Sequence, residues 1–141
     1  MLLITIDQWT KTRFKQYLLK HGSKRFKYFQ LSYVENKGAA LGFLKSRPKV
    51  LLLLSSILLV IVTRFLIEGI QLSSPLFYLL GLILIISGGL GNIIDRLRHG
   101  YVIDFFSFAK RKMPYFNLAD MYIISGAVIW VGAAFIYDIN I

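Results

Sequence analysis

Acidic residues are scarce in this chain, and two of them have the setting that carboxylate catalysis requires. The 141-residue sequence has 7 Asp+Glu against 17 Lys+Arg. Asp104 lies within the apolar run Tyr101–Phe106, and Asp120 stands at the start of an apolar stretch. Two carboxyls that meet in such a place share one proton, because like charges a few ångströms apart cannot both ionise cheaply. A pair of this kind fits aspartic peptide hydrolysis, in which the ionised partner activates water and the protonated partner polarises the carbonyl group.

The candidate residues also have purely structural interpretations. Asn117 with Asp120 three residues later resembles a capping box, which alone would explain both residues as the start of a helix. Asn92, Asp95 and Arg96 fall on one helical face at spacings of three and four. That spacing is as consistent with a polar cluster at a helix end as with catalysis, so the pattern leaves both interpretations open.

The composition excludes a water-soluble enzyme. Hydrophobic residues make up 56% of the chain and the mean hydropathy is +0.60, which leaves too little polar surface to cover a globule of this size. The formal net charge of +10 accompanies long apolar runs, so it indicates basic loops against anionic lipid headgroups rather than a nucleic-acid partner. With no cysteine and with His21 and His99 far apart, we expect neither a metal site nor a cofactor.

Three apolar stretches approach the length of about 20 residues that a helix needs to cross a hydrocarbon core. They are Val50–Ile67, Leu76 to about Ile94, and Leu118–Ile139. The connection from Glu68 to Ser74 is short, so the first two stretches form an antiparallel hairpin.

The amino-terminal segment is apolar only over Met1–Ile6, before Asp7 and further polar residues. This run is too short to cross a bilayer, and it lacks the basic n-region and the length of a cleavable signal peptide. We therefore expect either further apolar residues upstream of Met1 in the reading frame, or a first helix that is short and tilted or amphipathic.

Two basic segments flank the apolar stretches. Lys11–Lys49 contains eleven Lys and Arg residues, and Arg96–Lys112 contains five. By the positive-inside rule both segments would be cytoplasmic. Within the first segment, Phe26–Val34 has the aromatic and β-branched content of a short strand or hairpin. The small-residue run Asn36–Gly42 that follows is suited to a close approach of the backbone to a ligand or to another helix.

Five short segments between residues 7 and 120 carry a resemblance when they are taken together. They are Asp7-Gln8-Trp9-Thr10-Lys11, Asn36-Lys37-Gly38-Ala39-Ala40, Gly89-Leu90-Gly91-Asn92-Ile93-Ile94-Asp95-Arg96, Gly100-Tyr101-Val102-Ile103-Asp104-Phe105 and Phe116-Asn117-Leu118-Ala119-Asp120. In this order they resemble the motifs of the bacterial lipoprotein signal peptidases, also called signal peptidase II. No single segment is specific, whereas five in one order are.

The resemblance implies an all-α membrane protein. It would be a four-helix transmembrane bundle with a short or truncated first span and a small extramembrane β-like segment after the first helix, all in a single domain over residues 1–141. The implied activity is that of an aspartyl endopeptidase that removes the signal peptide from diacylglyceryl-modified prolipoproteins, cleaving before the lipidated cysteine. Asp104 and Asp120 would be the catalytic pair, and the matching supporting residues are Asn92, Arg96, Asn117, Asn36, Gly38, Asp7 and Lys11.

The resemblance also implies a location and partners. The chain would be a multi-pass protein of the bacterial inner membrane with its active site toward the outer face, opposite to the orientation that the charge rule gives. Its partners would be prolipoproteins and membrane lipids, without nucleic acid, and it would act as a monomer. A competing class is a non-enzymatic membrane protein, a transporter subunit or an inactive relative, with Asp7 or Asp95 as a coupling carboxylate. The two classes differ in one structural expectation: the endopeptidase requires the carboxyl groups of Asp104 and Asp120 to lie close together, whereas the non-enzymatic protein does not.

Overall fold

Four helices and a three-stranded sheet make up the part of the chain that the computed structural model describes, residues 1–38, 44–109 and 113–137. The elements in chain order are α1 (Leu2–His21), β1 (Lys24–Arg25), β2 (Phe29–Asn36), α2 (Pro48–Gln71), α3 (Leu76–His99), β3 (Val102–Phe108) and α4 (Leu118–Ile136).

Three of these helices, α2, α3 and α4, are long and apolar enough to cross a membrane. α2 and α3 contain the first two stretches expected from the sequence. α4 contains the third as far as Ile136, Tyr137 caps the helix, and residues 138 and 139 lie outside the described residues. Many apolar side chains of α2, Leu58 and Val60 among them, are exposed on the protein surface. A helix that is apolar around its whole circumference is suited to a hydrocarbon solvent, so this exposure agrees with a position in the bilayer.

The first helix is longer than the sequence predicted. α1 runs for 20 residues through the polar positions that follow Ile6, and it ends where Gly22 takes a positive φ of 73°. The helix is not among the three candidate membrane helices, because it contains five charged residues: Asp7 and Lys11 on its buried face, and Arg13, Lys15 and Lys20 outside it. It packs against α3 through that charged face, which explains why apolarity alone underestimated its length.

α3 and α4 approach closely because glycines lie at their contact. A Cβ atom at Gly126 would lie 2.6 Å from the carbonyl oxygen of Gly81, and a Cβ at Gly81 would lie 2.6 Å from the backbone nitrogen of Trp130. Lipid is as apolar as the side chains of these helices, so close packing of small residues is what favours their association. The contact holds the beginning of α4, and with it Asp120, beside α3.

The sheet has the strand order β1-β2-β3, and both strand pairs are antiparallel. β2 overlaps Phe26–Val34, the segment for which the sequence indicated a strand or hairpin, whereas β1 lies just before that segment and β3 was not predicted as a strand. β3 pairs with β2 so that Asp104 lies opposite Val34, and its Phe106 also forms a bridge with Phe116. The aromatic ring of Phe14 on α1 stacks on that of Phe105, with 4.2 Å between the centroids.

The helix contact yields a first prediction with a matched control on the same helix. Gly126→Ala should lower the melting temperature in detergent, because the added methyl group would collide with the backbone of α3. Gly132→Ala should leave the melting temperature unchanged or slightly higher, because nothing lies within 4 Å of a Cβ at Gly132. Equal melting temperatures for the two variants would contradict the close contact.

Candidate active site

Asp104 and Asp120, from β3 and α4, line one cavity of about 600 Å³. Asn117 contacts both carboxylates: its Nδ2 donates to Asp104 Oδ1 at 2.7 Å, and its backbone N–H donates to Asp120 Oδ2 at 3.1 Å. The tertiary structure therefore brings together two carboxylates that are separated by a strand end and a loop in the sequence.

Two further asparagines occupy the remaining carboxylate oxygens. Asn36, at the end of β2, donates from Nδ2 to Asp104 Oδ2 at 2.9 Å. Asn92, on α3, donates from Nδ2 to Asp120 Oδ1 at 2.8 Å. Each oxygen of the pair thus accepts one hydrogen bond from the protein, and since a carboxylate has about four lone-pair directions, each can still accept from or share a proton with a ligand.

The capping box expected at the start of α4 is present. Asn117 is the N-cap residue, its Oδ1 accepts from the backbone N–H of Asp120 at 3.0 Å, and Asp120 accepts in return from the N–H of Asn117. The cap engages Oδ2 of Asp120, while Oδ1 contacts Asn92. The structural and chemical interpretations of this residue are therefore compatible, because one carboxylate has an oxygen for each.

Asp104 is held in conditions that favour its protonated form. Burial raises the pKa of Asp104 to about 7, and the nearby charge of Asp120 acts in the same direction. Hydrogen bonds from Asn36 and Asn117 and the positive charge of Lys11 act in the opposite direction without cancelling it. Near neutral pH the pair therefore holds a proton, which is the requirement stated for carboxylate catalysis.

A buried ammonium group lies behind the carboxylate pair. Lys11 is 1% exposed, and its Nζ lies 2.9 Å from Asp7 Oδ2 and 3.2 Å from Asp95 Oδ2. The same Nζ donates to Asn92 Oδ1 at 3.0 Å. Because Asn92 presents its oxygen to Lys11, its amide nitrogen faces Asp120, so Lys11 orients a residue that contacts the pair.

Asp7 connects this ion cluster to the start of α4. Its Oδ1 accepts a hydrogen bond from the backbone N–H of Ala119 at 2.9 Å, one residue before Asp120. The approach requires a glycine on α3, since a Cβ at Gly91 would lie 2.5 Å from Asp7 Oδ2. Asp7 and Lys11 are thus placed to support the pair without contacting it.

Asp95 and Gln8 were quoted in the sequence motifs but were not among the candidate site residues. Asp95 Oδ1 accepts from Gln8 Nε2 at 2.8 Å, and its Oδ2 accepts from the backbone N–H of Ile103 at 3.1 Å. These bonds attach β3 to α3 and α1 immediately before Asp104. The position of Asp95 three residues after Asn92, which puts both on one side of α3, was the signal that could have identified it.

Arg96 and Gly38 lie on the other side of the cavity. Arg96 Nη2 donates to the carbonyl oxygen of Gly38 at 3.2 Å, and the backbone N–H of Gly38 donates to Asn36 Oδ1 at 3.0 Å. This chain of bonds holds the amide group of Asn36 toward Asp104. Ala39 and Ala40, which complete the motif, lie outside the described residues.

The geometry bears on the other chemistries considered from the sequence. Asp7 and Asp95, the proposed coupling carboxylates of a transporter, are both ion-paired with Lys11. Within residues 1–38, 44–109 and 113–137, no three of His, Asp and Glu lie in a position to hold a metal ion. The remaining chemistry considered from the sequence, that of two carboxylates acting together, has both of its groups, Asp104 and Asp120, at one cavity.

Comparisons with known proteins point to one family. The family model described as signal peptidase (SPase) II matches residues 1–136. The chain is 37% identical over 131 residues to the lipoprotein signal peptidase of Caldanaerobacter subterraneus subsp. tengcongensis, covering 90% of this chain and 86% of that protein. It is 38% identical to that of Moorella thermoacetica, covering 92% and 85%. A solved bacterial membrane enzyme structure superposes with a TM-score of 0.74 at 25% identity, covering 95% and 83%.

The ion cluster behind the pair generates a stability prediction. Lys11→Met should destabilise the protein by about 3–5 kcal/mol, because it leaves two buried carboxylates without their shared counter-ion. Lys20→Met removes the same charge from an exposed position in the last turn of α1 and should cost less than about 1 kcal/mol. Thermal unfolding of both variants in one detergent measures the difference, and similar shifts would contradict the buried role of Lys11.

Proposed function

The chain belongs to the signal peptidase II family and removes signal peptides from prolipoproteins in a bacterial membrane, and we propose that it does so as an aspartic endopeptidase whose catalytic residues are Asp104 and Asp120. The observation that carries the proposal is the convergence of these two buried carboxylates on one cavity, with Asn117 hydrogen-bonded to both.

In the proposed mechanism the pair shares one proton and holds the attacking water. The ionised carboxylate takes a proton from the water while the oxygen of that water attacks the carbonyl carbon of the scissile peptide bond. The protonated carboxylate donates a hydrogen bond to the carbonyl oxygen, on which negative charge develops. Transfer of a proton to the leaving nitrogen breaks the C–N bond and restores the initial protonation of the pair. The asparagines hold both carboxylates in place throughout, which limits the reorganisation that the reaction requires.

The walls of the cavity suit an apolar substrate that arrives through the bilayer. Met113, Ile123 and Ile124 line the cavity opposite its polar residues, and Ile124 on α4 is 56% exposed. An opening along this side of α4 would allow a hydrophobic signal peptide to reach the carboxylates without entering water. We propose that the diacylglyceryl group of the modified cysteine remains on this apolar side, so that cleavage occurs before the lipidated residue.

The supporting residues have distinct proposed roles. Asn36, Asn92 and Asn117 orient the carboxylates, and Arg96 with Gly38 positions Asn36. Asp7 and Lys11 do not contact the pair: Asp7 accepts from the backbone N–H of Ala119, and Lys11 donates to Asn92. None of them is proposed to exchange protons with the substrate.

The proposed topology is a single domain of four membrane helices with the catalytic pair near the outer face. α1 is the least apolar of the four and is included because its charged face is covered by α3. The pairing of β2 with β3 brings the two basic segments to the same side as the pair, which agrees with one membrane face for all of them. We propose that these segments contact lipid headgroups of the outer leaflet and that the protein acts as a monomer.

Substitution of either aspartate tests the mechanism. Asp104→Asn and Asp120→Asn should each reduce cleavage of a diacylglyceryl-modified prolipoprotein by about a thousandfold or more, and the double variant should be little worse, because the two groups act as one unit. Asn keeps the size and one acceptor oxygen, which is what the cap of α4 requires of residue 120, so Asp120→Asn should cost only about 1 kcal/mol of stability.

Turnover and thermal unfolding measured on the same preparations separate the two roles of Asp120. Glu68→Gln, an exposed carboxylate of α2 that pairs with Arg64, is the control and should retain full turnover. An active Asp120→Asn enzyme would end the proposal, since it would leave Asp120 as a helix cap only.

The raised pKa of Asp104 predicts a loss of activity on the alkaline side. Below about pH 7 Asp104 retains its proton and the pair can be singly protonated, whereas above this value both carboxylates become ionised. The cleavage rate under conditions of limiting substrate should therefore fall as the pH rises above about 7. A rate that stays constant between pH 7 and 9, with the protein folded throughout, would contradict proton sharing by the pair.

A further inference from the structure

A second cavity lies between α1, the end of α3 and the start of β3. Its volume is about 270 Å³, and none of its lining residues lines the cavity of the carboxylate pair. Apart from Lys11 and Asp95, which pair with each other, the polar side chains around it come from both helices and are Gln8, Thr12, Lys15, Gln16, Arg98 and His99.

This second cavity carries excess positive charge. Its lining includes Lys15 and Arg98, while its one carboxylate, Asp95, already accepts from Gln8, Lys11 and the backbone of Ile103. Among the described residues, neither Lys15 nor Arg98 lies within ion-pair distance of a carboxylate. A negative charge brought into the cavity would therefore find two cationic groups without a counter-ion.

The hydrogen bonds that Lys15 and Arg98 do make are long. Lys15 Nζ lies 3.5 Å from the hydroxyl of Tyr101, and Arg98 Nη1 lies 3.4 Å from Gln8 Oε1. Both distances exceed the usual range for nitrogen donors, so these hydrogen bonds are weak. Lys15 Nζ also lies 5.4 Å and 5.9 Å from the ring centroids of Tyr33 and Tyr101, and such cation–π contacts leave its N–H groups free to donate to an anion. An arginine presents five N–H donors and a lysine three, which suits several oxygen atoms of one anion.

The cavity lies where a membrane helix ends. α3 ends at His99, so Arg98 and His99 are at the level where the helix leaves the hydrocarbon and enters the headgroup region. Leu97, the residue before Arg98 on α3, is apolar and 67% exposed. A ligand with a charged head and apolar chains matches this combination.

We propose that this cavity binds the phosphate group of an anionic phospholipid. Arg98 would bind two phosphate oxygens through its guanidinium fork, and Lys15 would supply a second charge. Thr12 and Gln16 are suited to the polar remainder of the headgroup, and the exposed Leu97 beside Arg98 to the acyl chains. Basic pockets beside membrane helices are suited to anionic headgroups for this electrostatic reason. A lipid held by both α1 and α3 would stabilise their contact.

Thermal unfolding of the purified full-length chain tests the proposal without requiring catalysis. The protein is placed in neutral-detergent micelles containing phosphatidylglycerol, phosphatidylcholine, or phosphatidylcholine with inorganic phosphate. Phosphatidylglycerol should raise the melting temperature by about 3 °C or more in a concentration-dependent way, because a ligand that binds only the folded state stabilises it. Phosphatidylcholine should have little effect, and inorganic phosphate shows whether the phosphate group alone is sufficient.

Variants that remove one charge show whether the rise in melting temperature with phosphatidylglycerol depends on this cavity. Arg98→Gln and Lys15→Gln should each lose most of the shift, and Arg98→Lys should retain part of it. Arg13→Gln and Lys20→Gln remove the same charges from exposed positions of α1 and should respond as the parent does.

Two outcomes would overturn the proposal: an equal shift with phosphatidylcholine alone, or a full phosphatidylglycerol shift in the variant that lacks both Arg98 and Lys15. A shift produced equally by inorganic phosphate at the same phosphate concentration, and lost in Arg98→Gln, would support an anion site but assign it to free phosphate. Because the readout is unfolding, none of these results depends on whether Asp104 and Asp120 catalyse cleavage.

Discussion

The buried ammonium group of Lys11 is the contact on which the rest of this site depends. It neutralises Asp7 and Asp95 on two different helices and donates to Asn92, which in turn donates to Asp120. A cation excluded from water is stable only where its partners are held in place, and here the partners belong to α1 and α3. Through Ala119 and Ile103, the same two carboxylates also hold the backbone beside each residue of the proposed catalytic pair.

The pair itself is assembled from backbone features rather than from a rigid helix face. Asp120 is part of the capping box of α4, so the start of that helix sets the direction of its carboxylate. Asp104 is fixed by its register opposite Val34 and by the amide of Asn36 at the end of β2. Three asparagines provide the donors, and because they are neutral they orient the carboxylates without a charge that would remove the shared proton. Burial then raises the pKa of Asp104 to about 7, which is a suitable value for proton transfer near neutral pH.

The membrane helices determine where this chemistry takes place. Glycine contacts between α3 and α4 allow their backbones to meet, so that Asn92 reaches the first turn of α4. The small sheet supplies Asp104 from β3 and Asn36 from the end of β2, so it holds one carboxylate of the pair. The resulting cavity has polar residues on one wall and apolar residues of α4 on another, as a substrate with a lipidated cysteine requires. The basic second cavity is lined by Arg98 and His99 at the same end of α3, where Asn92 and Arg96 line the cavity of the carboxylate pair.

The sequence by itself predicted the three apolar helices and a strand or hairpin over Phe26–Val34, and it singled out the capping pattern and the two aspartates, because each depends on local composition or on short spacing. The family resemblance added the order of the motifs and the supporting asparagines. The sequence could not show that Lys11 bonds to Asp95, that Gln8 and Asp95 belong to the site, or that Val102–Phe108 forms a strand. These features depend on contacts between residues about 70 to 110 positions apart. Local periodicity contains no information about such contacts, since they form only when α1, α3, α4 and the sheet pack together and exclude water from the charged groups between them.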